Sequence, residues 1–115
     1  MTISLTIYLP DKVFTVEQSD KVILPYDKGN LTVINDRAPT VLLLSSGLIQ
    51  CLDEKNEIKK MWYVNGGLAD IANNVCYVAT ERIIDLQAET KEQLIEKAKE
   101  NKFYQNALER LKAFK

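Results

Sequence analysis

The chain opens with a regular alternation of apolar and polar residues. Ile3, Leu5, Ile7 and Leu9 are separated by single residues, a period of two that is typical of a half-buried strand. Eight further short segments rich in Val, Ile, Leu and aromatic residues follow, and they cover residues 13–16, 21–24, 31–34, 41–44, 48–52, 58–64, 68–71 and 75–79. Strands at spacings of about 8 to 12 residues predict a mainly β sandwich or barrel.

Turn-forming residues separate these segments. Gly, Asn, Asp, Ser and Pro cluster between them, and we predict turns at residues 27–30, 45–47 and 65–67 among others. The five polar residues 53–57 have no apolar residue among them and predict a hairpin whose tip projects into water.

The pattern changes to a helical one beyond residue 80. Thr90 and Gln93 have the spacing of a capping box, in which each side chain bonds a free backbone N–H, so a helix is predicted to start there. Residues 90–115 contain no Gly or Pro. On a single continuous helix, the apolar residues within 94–98 and those within 103–114 would point in directions roughly 160° apart. A break at Asn101, a residue that tolerates the left-handed conformation, lets both groups face one body.

The sequence therefore predicts two parts, a β-sandwich over residues 1–85 followed by a short C-terminal α-helical hairpin over residues 86–115. Isolated helices of about a dozen residues are marginal in water, so the hairpin is expected to pack on the sandwich. The residues predicted to make this packing are Leu94, Ile95, Tyr104, Leu108, Leu111 and Phe114.

Composition is that of an ordinary globular protein. The 115 residues are 46% hydrophobic and 27% charged, which excludes a disordered chain. No apolar run approaches the roughly 20 residues of a membrane-spanning helix, and the first ten residues lack the basic cluster and cleavage site of a signal peptide. We expect the chain to stay in the compartment where it is made.

The residues give little support for catalysis or for a metal site. The chain has no histidine, and Cys51 and Cys76 stand in apolar segments where a thiol behaves as a small hydrophobe. The four glycines do not form a phosphate-binding loop, and no serine has a histidine partner. The sequence predicts no catalytic residue, no metal and no cofactor.

Charge is distributed unevenly along the chain. Residues 1–89 hold twelve acidic and eight basic side chains, whereas residues 90–115 hold four and seven. The acidic body argues against nucleic-acid binding. Three explanations remain for the excess of basic residues in the helical part. In order of preference, they are a solvated helix face, contact with an acidic protein partner and contact with phosphate.

Four segments together resemble the epsilon subunit of F-type ATP synthases. They are Leu24-Pro-Tyr-Asp-Lys-Gly-Asn-Leu31, Asn35-Asp-Arg-Ala-Pro39, Ser46-Gly47 and Tyr63-Val-Asn-Gly-Gly67-Leu-Ala-Asp-Ile71, in this order. The resemblance covers residues 1 to about 85, the β-sandwich of that family, and extends less closely into its helical hairpin. The ordered set is more specific than any one motif.

The resemblance implies a non-catalytic rotor subunit of a proton-translocating F-type ATP synthase. Such a sandwich lies at the foot of the central stalk, contacts the gamma subunit with one face and the membrane c-ring with one end, and supports the coupling of proton flow to ATP synthesis. The implied location is peripheral, on the cytoplasmic side of the bacterial inner membrane, with no transmembrane segment. The residues implied at the c-ring are Asp27, Lys28, Gly29, Asn30, Leu31, Arg37, Ala38 and Pro39.

The chain departs from the family at several positions. A family glutamate is replaced by Asn30, a histidine by Arg37 and a serine by Asn65, so Asp27, Lys28 and Arg37 are the charges left for a c-ring contact. The helical region is roughly half the usual length, which implies weak or no inhibition of ATP hydrolysis. Acidic loops of the catalytic hexamer are a further candidate partner.

Regulatory ATP binding is not expected from the resemblance. Residues 84–88 read Ile-Asp-Leu-Gln-Ala, one position short of the ATP-binding motif of some relatives and without its arginine. An alternative function is that of a stand-alone β-sandwich adaptor that dimerises through its C-terminal helices. An enzyme of unknown type is the least favoured of the three functions.

Overall fold

Eight strands precede two helices in the part of the chain that the structure describes. The computed structural model describes residues 2–35, 37–88 and 91–114, with side chains up to residue 112. The elements are β1 (Ile3–Leu9), β2 (Lys12–Ser19), β3 (Lys21–Tyr26), β4 (Gly29–Val33), β5 (Thr40–Leu52), β6 (Ile58–Ala72), β7 (Val75–Ala79), β8 (Ile83–Asp85), α1 (Lys91–Ala98) and α2 (Lys102–Phe114). The predicted mainly β fold with a short helical hairpin is confirmed.

The strands form one continuous sheet that folds over on itself. The order is β2-β1-β7-β6-β5-β3-β4, with β8 beside β6, and only β1 and β7 of the described pairs run parallel. β5 and β6 are 13 and 15 residues long, so they pass through both halves of the sheet. We call the two halves the β1 half (β2, β1, β7 and the adjoining parts of β5 and β6) and the β3 half (β4, β3, β8 and the remaining parts).

The main core lies between these two halves. Ile3, Leu5 and Ile7 of β1 are fully buried in one cluster with Val22 and Leu24 of β3, although three strands separate β1 from β3 in the sheet order. The two halves therefore face each other as a sandwich.

The predicted turns at residues 45–47 and 65–67 are wrong, because both segments lie inside long strands. Leu44 pairs with Gly67 and Ser46 pairs with Asn65, so the register is the same on both sides of Ser45 and Gly66. Gly66 and Gly67 have φ of 94° and 146°, which only glycine adopts easily, so they redirect β6 while it stays paired. The glycines here bend a strand and do not end it.

The predicted hairpin tip at residues 53–57 is confirmed. Asp53 Oδ1 accepts hydrogen bonds from the backbone N–H groups of Lys55 (2.8 Å) and Glu57 (3.0 Å), and Lys59 Nζ lies 3.5 Å from its second oxygen. The hydrogen bond from Glu57, with smaller help from Lys55 and Lys59, lowers the pKa of Asp53 below its usual value.

The two cysteines are buried, free thiols of the main core. Burial raises the pKa of Cys51 to about 11 and that of Cys76 to about 12. Both groups are therefore protonated at neutral pH and behave as the small hydrophobes that the sequence predicts.

The helical hairpin packs on the outer side of the β3 half. A second cluster contains Leu48, Met61, Tyr63 and Ile84 of the sheet with Leu94, Phe103 and Ala107 of the helices. Phe103 anchors it, because its ring centroid lies 5.2 Å from that of Tyr63 and 4.8 Å from the guanidinium carbon of Arg82. The molecule thus has three layers, two of sheet and one of helix.

The break between the helices occurs where predicted, but its chemistry differs. The described non-glycine residues with positive φ are Asn56, Asn73 and Asn74, so Asn101 is not left-handed. Its side-chain oxygen instead accepts from Phe103 N–H at 2.9 Å, and its carbonyl accepts from Gln105 N–H at 3.1 Å. Asn101 is the N-cap of α2. The predicted capping residue Thr90 lies outside the described residues.

The predicted packing residues of the hairpin have different environments. Leu94 is 1% exposed, and Tyr104, Leu108 and Leu111 are half-buried against the same cluster. Ile95 is 44% exposed, so its assignment to the packed face is wrong: it lies 100° around the helix from Leu94, which takes the inward position. The side chain of Phe114 lies outside the described residues.

Candidate functional site

The outer side of the β1 half is an exposed apolar surface. Of the nine exposed large hydrophobic residues in the described chain, seven lie here: Tyr8, Val13, Val16, Val41, Leu43, Leu68 and Tyr77. We call this set the apolar face. Leu43 and Val41 are its most exposed members, at 77% and 69%.

The strand register explains why these residues share one surface. Successive side chains of a strand point to opposite sides of the sheet, so each inward core residue leaves an outward neighbour. Two rows of outward residues cross the strands side by side. The first is Val13, Tyr8, Ala79, Leu68 and Leu43, and the second is Val16, Thr6, Tyr77, Asp70 and Val41.

The helical hairpin leaves the apolar face uncovered. It packs on the β3 half, the other outer side of the sandwich, through Leu48, Met61 and Tyr63. A contiguous exposed apolar patch on a well-packed fold is typical of a protein interaction surface. The rings of Tyr8 and Tyr77, with centroids 6.0 Å apart, add the aromatic character common in such surfaces.

A groove of about 500 Å³ borders the apolar face at the bend of β6. Tyr8, Leu43 and Leu68 line it together with the glycine bend and Glu81. The Thr80 hydroxyl donates a 2.8 Å hydrogen bond to the carbonyl of Gly66, which holds the bend in place. The bend of β6 therefore forms one wall of the groove at this edge of the face.

The predicted c-ring residues fall into two separate places. Asp27 and Lys28 form the tight turn between β3 and β4, and Gly29 supplies the positive φ of 117° that the turn needs. A cleft of about 620 Å³ beside this turn is lined by Asp27, Gly29 and Asn30, by the segment around Ser46, and by Arg110 of α2. The β3–β4 turn thus lies next to the helical hairpin.

Arg37, Ala38 and Pro39 lie elsewhere, beside Asn73 and Asn74 before the start of β5. Pro25 packs on Gly47, so the β3–β4 turn is level with Gly47, whereas Pro39 adjoins Thr40. Seven residues of strand, about 23 Å along the chain, separate these positions. The structure does not bring the two predicted c-ring segments together.

Residues 84–88, which align with the ATP-binding motif of some relatives, contain no arginine, and the carboxylate of Asp85 is hydrogen-bonded within the chain. Asp85 Oδ1 accepts from the N–H groups of Gln87 (2.9 Å) and Ala88 (3.1 Å), so it stabilises the turn after β8. Among the described residues, no group of three or more His, Cys, Asp or Glu side chains is placed to hold a metal ion. Neither helix of the described chain has the length and hydropathy that crossing a membrane requires.

Comparison with known proteins identifies the family. The family model described as ATP synthase, Delta/Epsilon chain, beta-sandwich domain matches residues 2–86. The chain belongs to the ATP synthase delta/epsilon family. The predicted resemblance is confirmed, and the matched region is the sandwich described above.

Individual members of the family are moderately similar in sequence. The ATP synthase epsilon chain of Bartonella henselae is 36% identical over 78 residues, which are 68% of this chain and 55% of that protein. The epsilon chain of Granulibacter bethesdensis is 33% identical over 79 residues, or 69% and 58% of the two chains. The chain spans little more than half the length of these relatives.

Two solved structures share the fold. A chain of the Euglena gracilis mitochondrial ATP synthase (OSCP/F1/c-ring) superimposes with a TM-score of 0.68 at 21% identity, covering 86% of this chain and 62% of its own. A chain from the central stalk/c-ring of the Tetrahymena thermophila enzyme gives 0.60 at 16%, covering 81% and 73%. At such identities the likeness is one of fold.

The sequence analysis missed the apolar face. It predicted a strand over residues 41–44 without asking which side of the strand is covered, although four consecutive apolar residues must point to both sides of a sheet. That run was the available signal, since an apolar residue on both sides means either two buried faces or one exposed apolar face.

Proposed function

We propose that the chain is a non-catalytic central-stalk subunit of a proton-translocating F-type ATP synthase. In this proposal the apolar face binds the gamma subunit, and the β3–β4 turn contacts the c-ring. Membership of the delta/epsilon family and the likeness in fold to a chain of the Tetrahymena central stalk/c-ring support it. The chain is then a peripheral protein on the cytoplasmic side of the membrane and needs no cofactor or regulatory ATP.

The observation that carries the proposal is the apolar face on an otherwise complete sandwich. Both other large apolar surfaces are already covered, one by the opposing half of the sheet and one by the helical hairpin. A rotor subunit must hold its partner firmly while torque is transmitted. A broad apolar sheet face provides this, because burial of such side chains contributes about 25 cal/mol per Å².

The β3–β4 turn suits a different kind of contact. It is short and polar, and it presents Asp27 and Lys28 at the exposed tip with Arg110 nearby. Polar side chains of both signs fit the polar loop of a membrane ring better than an apolar subunit surface. Arg37 lies away from the β3–β4 turn, so we assign the c-ring contact to residues 27–31 alone.

The alternative of an adaptor that dimerises through its helices finds no support in the packing. The helical residues that a dimer would use, Leu94, Phe103 and Ala107, are buried against the chain's own sheet. A second copy on the apolar face is an outcome that the following experiment detects.

A matched pair of substitutions tests the proposal. Leu68 on the apolar face and Ile95 on α1 are both 44% exposed. We expect Leu68→Asp to weaken binding to the purified gamma subunit at least 100-fold in titration calorimetry, because an unpaired carboxylate would be buried at the interface. Ile95→Asp is expected to bind as the unaltered chain does.

Equal gamma binding by both variants would contradict the use of the apolar face. Sedimentation of the chain alone distinguishes the adaptor reading: a dimer that Leu68→Asp dissociates, together with no affinity for gamma, would replace the proposal.

A further inference from the structure

The two outward rows that cross the apolar face contain one charged residue, Asp70. Its neighbours across the strands are Val41 on one side and Tyr77 on the other. The other members of the two rows are aliphatic residues, tyrosines, Ala79 and Thr6. An acidic side chain in the middle of an apolar surface limits which partner surfaces can cover that surface, because the partner must also accommodate the carboxylate.

Asp70 borders a shallow cleft of about 210 Å³. The walls are Asp70, Ala72, Asn73, Val75 and Tyr77. Asp70 makes no ion pair with any residue that the structure describes, and both it and Tyr77 are exposed. The carboxylate is therefore hydrated in the isolated chain and available to a partner.

Covering the apolar face would remove this hydration. A carboxylate taken from water without hydrogen-bond donors or a counter-charge is strongly destabilising, so the covering surface must supply both. Lysine provides a point charge on a strongly hydrated ammonium group. Arginine provides two parallel N–H donors that match a carboxylate, and it remains charged when desolvated.

The cleft has features that favour arginine over lysine. The ring of Tyr77, 46% exposed, stands directly across the strand pair from Asp70 and can lie against a guanidinium plane. The side-chain amide oxygen of Asn73, at the turn between β6 and β7, is a further acceptor for the remaining N–H groups.

We propose that the cleft between Asp70 and Tyr77 receives an arginine side chain of the gamma subunit when that subunit covers the apolar face. This inference rests on the proposed function, which supplies the partner. Apolar contact is non-directional, whereas one buried ion pair in a defined cleft sets the orientation of the two proteins. Asp70 is thus the residue that determines specificity within the face.

Calorimetric titration of gamma with Asp70 variants of the full chain tests the inference. We expect Asp70→Asn to weaken binding by about 30-fold or more, because the partner's arginine is left buried without its counter-charge. Asp70→Lys is expected to abolish binding. Glu54→Gln at the exposed β5–β6 tip is the matched control, and it removes one negative charge without an expected effect on affinity. Unchanged thermal unfolding of each variant shows that the fold is retained.

Double-mutant cycles identify the partner residue. Each arginine of gamma is changed to alanine and combined with Asp70→Asn, and one of them is expected to lose its effect in the Asp70→Asn background. Tyr77→Leu, which keeps an apolar side chain, is expected to weaken binding several-fold through loss of the stacked ring.

Two results would overturn the inference while leaving the proposed function intact: wild-type affinity of Asp70→Asn for gamma, or the absence of coupling to any arginine. Failure of the unaltered chain to bind gamma would overturn both.

Discussion

At the scale of single residues, Gly67 is the position on which the path of the sheet depends. It combines a φ of 146° with a close approach to the next strand: a Cβ built there would lie 2.4 Å from the carbonyl oxygen of Ala79. Since that atom belongs to the backbone, no side-chain rotation can relieve the contact. Gly67 therefore allows β6 both to bend and to stay paired with β7.

Substitution of Gly67 should destabilise the sandwich more than substitution of Gly29. Gly29 also has a positive φ, 117°, but a Cβ there would meet nothing within 4 Å. We expect Gly29→Ala to lower the free energy of unfolding by about 1 kcal/mol through backbone strain alone. Gly67→Ala should lower it by about 3 kcal/mol or more, because the clash adds to the strain.

Urea unfolding of the two variants and of the unaltered chain measures this difference. Equal urea midpoints for Gly67→Ala and Gly29→Ala would contradict this prediction. They would show that the contact between β6 and β7 has room for a Cβ at position 67.

At the scale of elements, α2 is held by its first turn. Asn101 caps its N-terminus, and Phe103 fills the space between Tyr63 and Arg82. The side-chain amide of Gln105 donates to the carbonyl of Ala98 at 2.7 Å and joins the two helices. These contacts close to the break between α1 and α2 thus add to the apolar packing that docks the helical hairpin.

Loss of the Phe103 ring should release the helical hairpin. Phe103 is 7% exposed, so Phe103→Ala is expected to weaken docking by about 3 to 5 kcal/mol. Limited trypsin digestion should then cleave the lysines of α1 and α2 at least tenfold faster, because the helices open more often. Ile95→Ala, at a largely exposed position of α1, is the control and should leave the cleavage rate unchanged.

The same cleavage rate for Phe103→Ala and for the unaltered chain would mean that the helices are held by other contacts.

At the scale of the whole molecule, the three layers give the two outer sides of the sandwich different roles. The β3 half is covered by the chain's own helices, and the β1 half presents the apolar face. Undocking the helices would expose Leu94, Phe103 and Tyr63, at about 1.5 to 3 kcal/mol for each large side chain that had been fully buried. An extended helical region therefore requires another surface that replaces this burial, and exposed ion pairs of its basic residues, at about 1 kcal/mol or less each, do not suffice.

Removal of the helices should lower the thermal stability of the chain without changing its affinity for gamma. A chain ending after Ala88 is expected to be less stable to heat than the full chain, because Leu48, Met61 and Tyr63 lose their cover. It should bind gamma with the affinity of the full chain, since the apolar face lies on the opposite outer side. Under the proposed function, helices that stay docked on the sandwich are not expected to contact the hexamer, so the ATP hydrolysis rate of the assembled enzyme should change less than twofold.

A several-fold rise in ATP hydrolysis on truncation, with intact subunit stoichiometry, would show instead that the helices inhibit the enzyme. Loss of gamma binding by a folded truncated chain would place part of the interface on the helices.

Much of the fold was predictable because it depends on local chemistry. Period-two alternation marks β1, the polar residues 53–57 mark a hairpin tip, and the change to a 3.6 period marks the helices and their break. β8 was not predicted, because three residues are too few for a periodic signal and its pairing with β6 is long-range.

The candidate site was predictable only in part. The order of motifs identified the family and the tight turn at Asp27 and Lys28. Sequence alone could not show that Arg37 lies apart from that turn, because the distance between them is set by the length of β5. It also could not show that Ile95 faces water, since one residue of helix rotation decides this.

The sequence by itself determined the order and type of most elements, the absence of histidine chemistry and the likeness to one family, because these depend on residue types and spacing. Tertiary structure alone decided that Gly66 and Gly67 bend a continuous strand, that the helices cover only the β3 half, and that Asp70 lies among exposed apolar residues. The physical reason is that alternation places a side chain on one side of a strand, but only the packing of layers determines which side is covered.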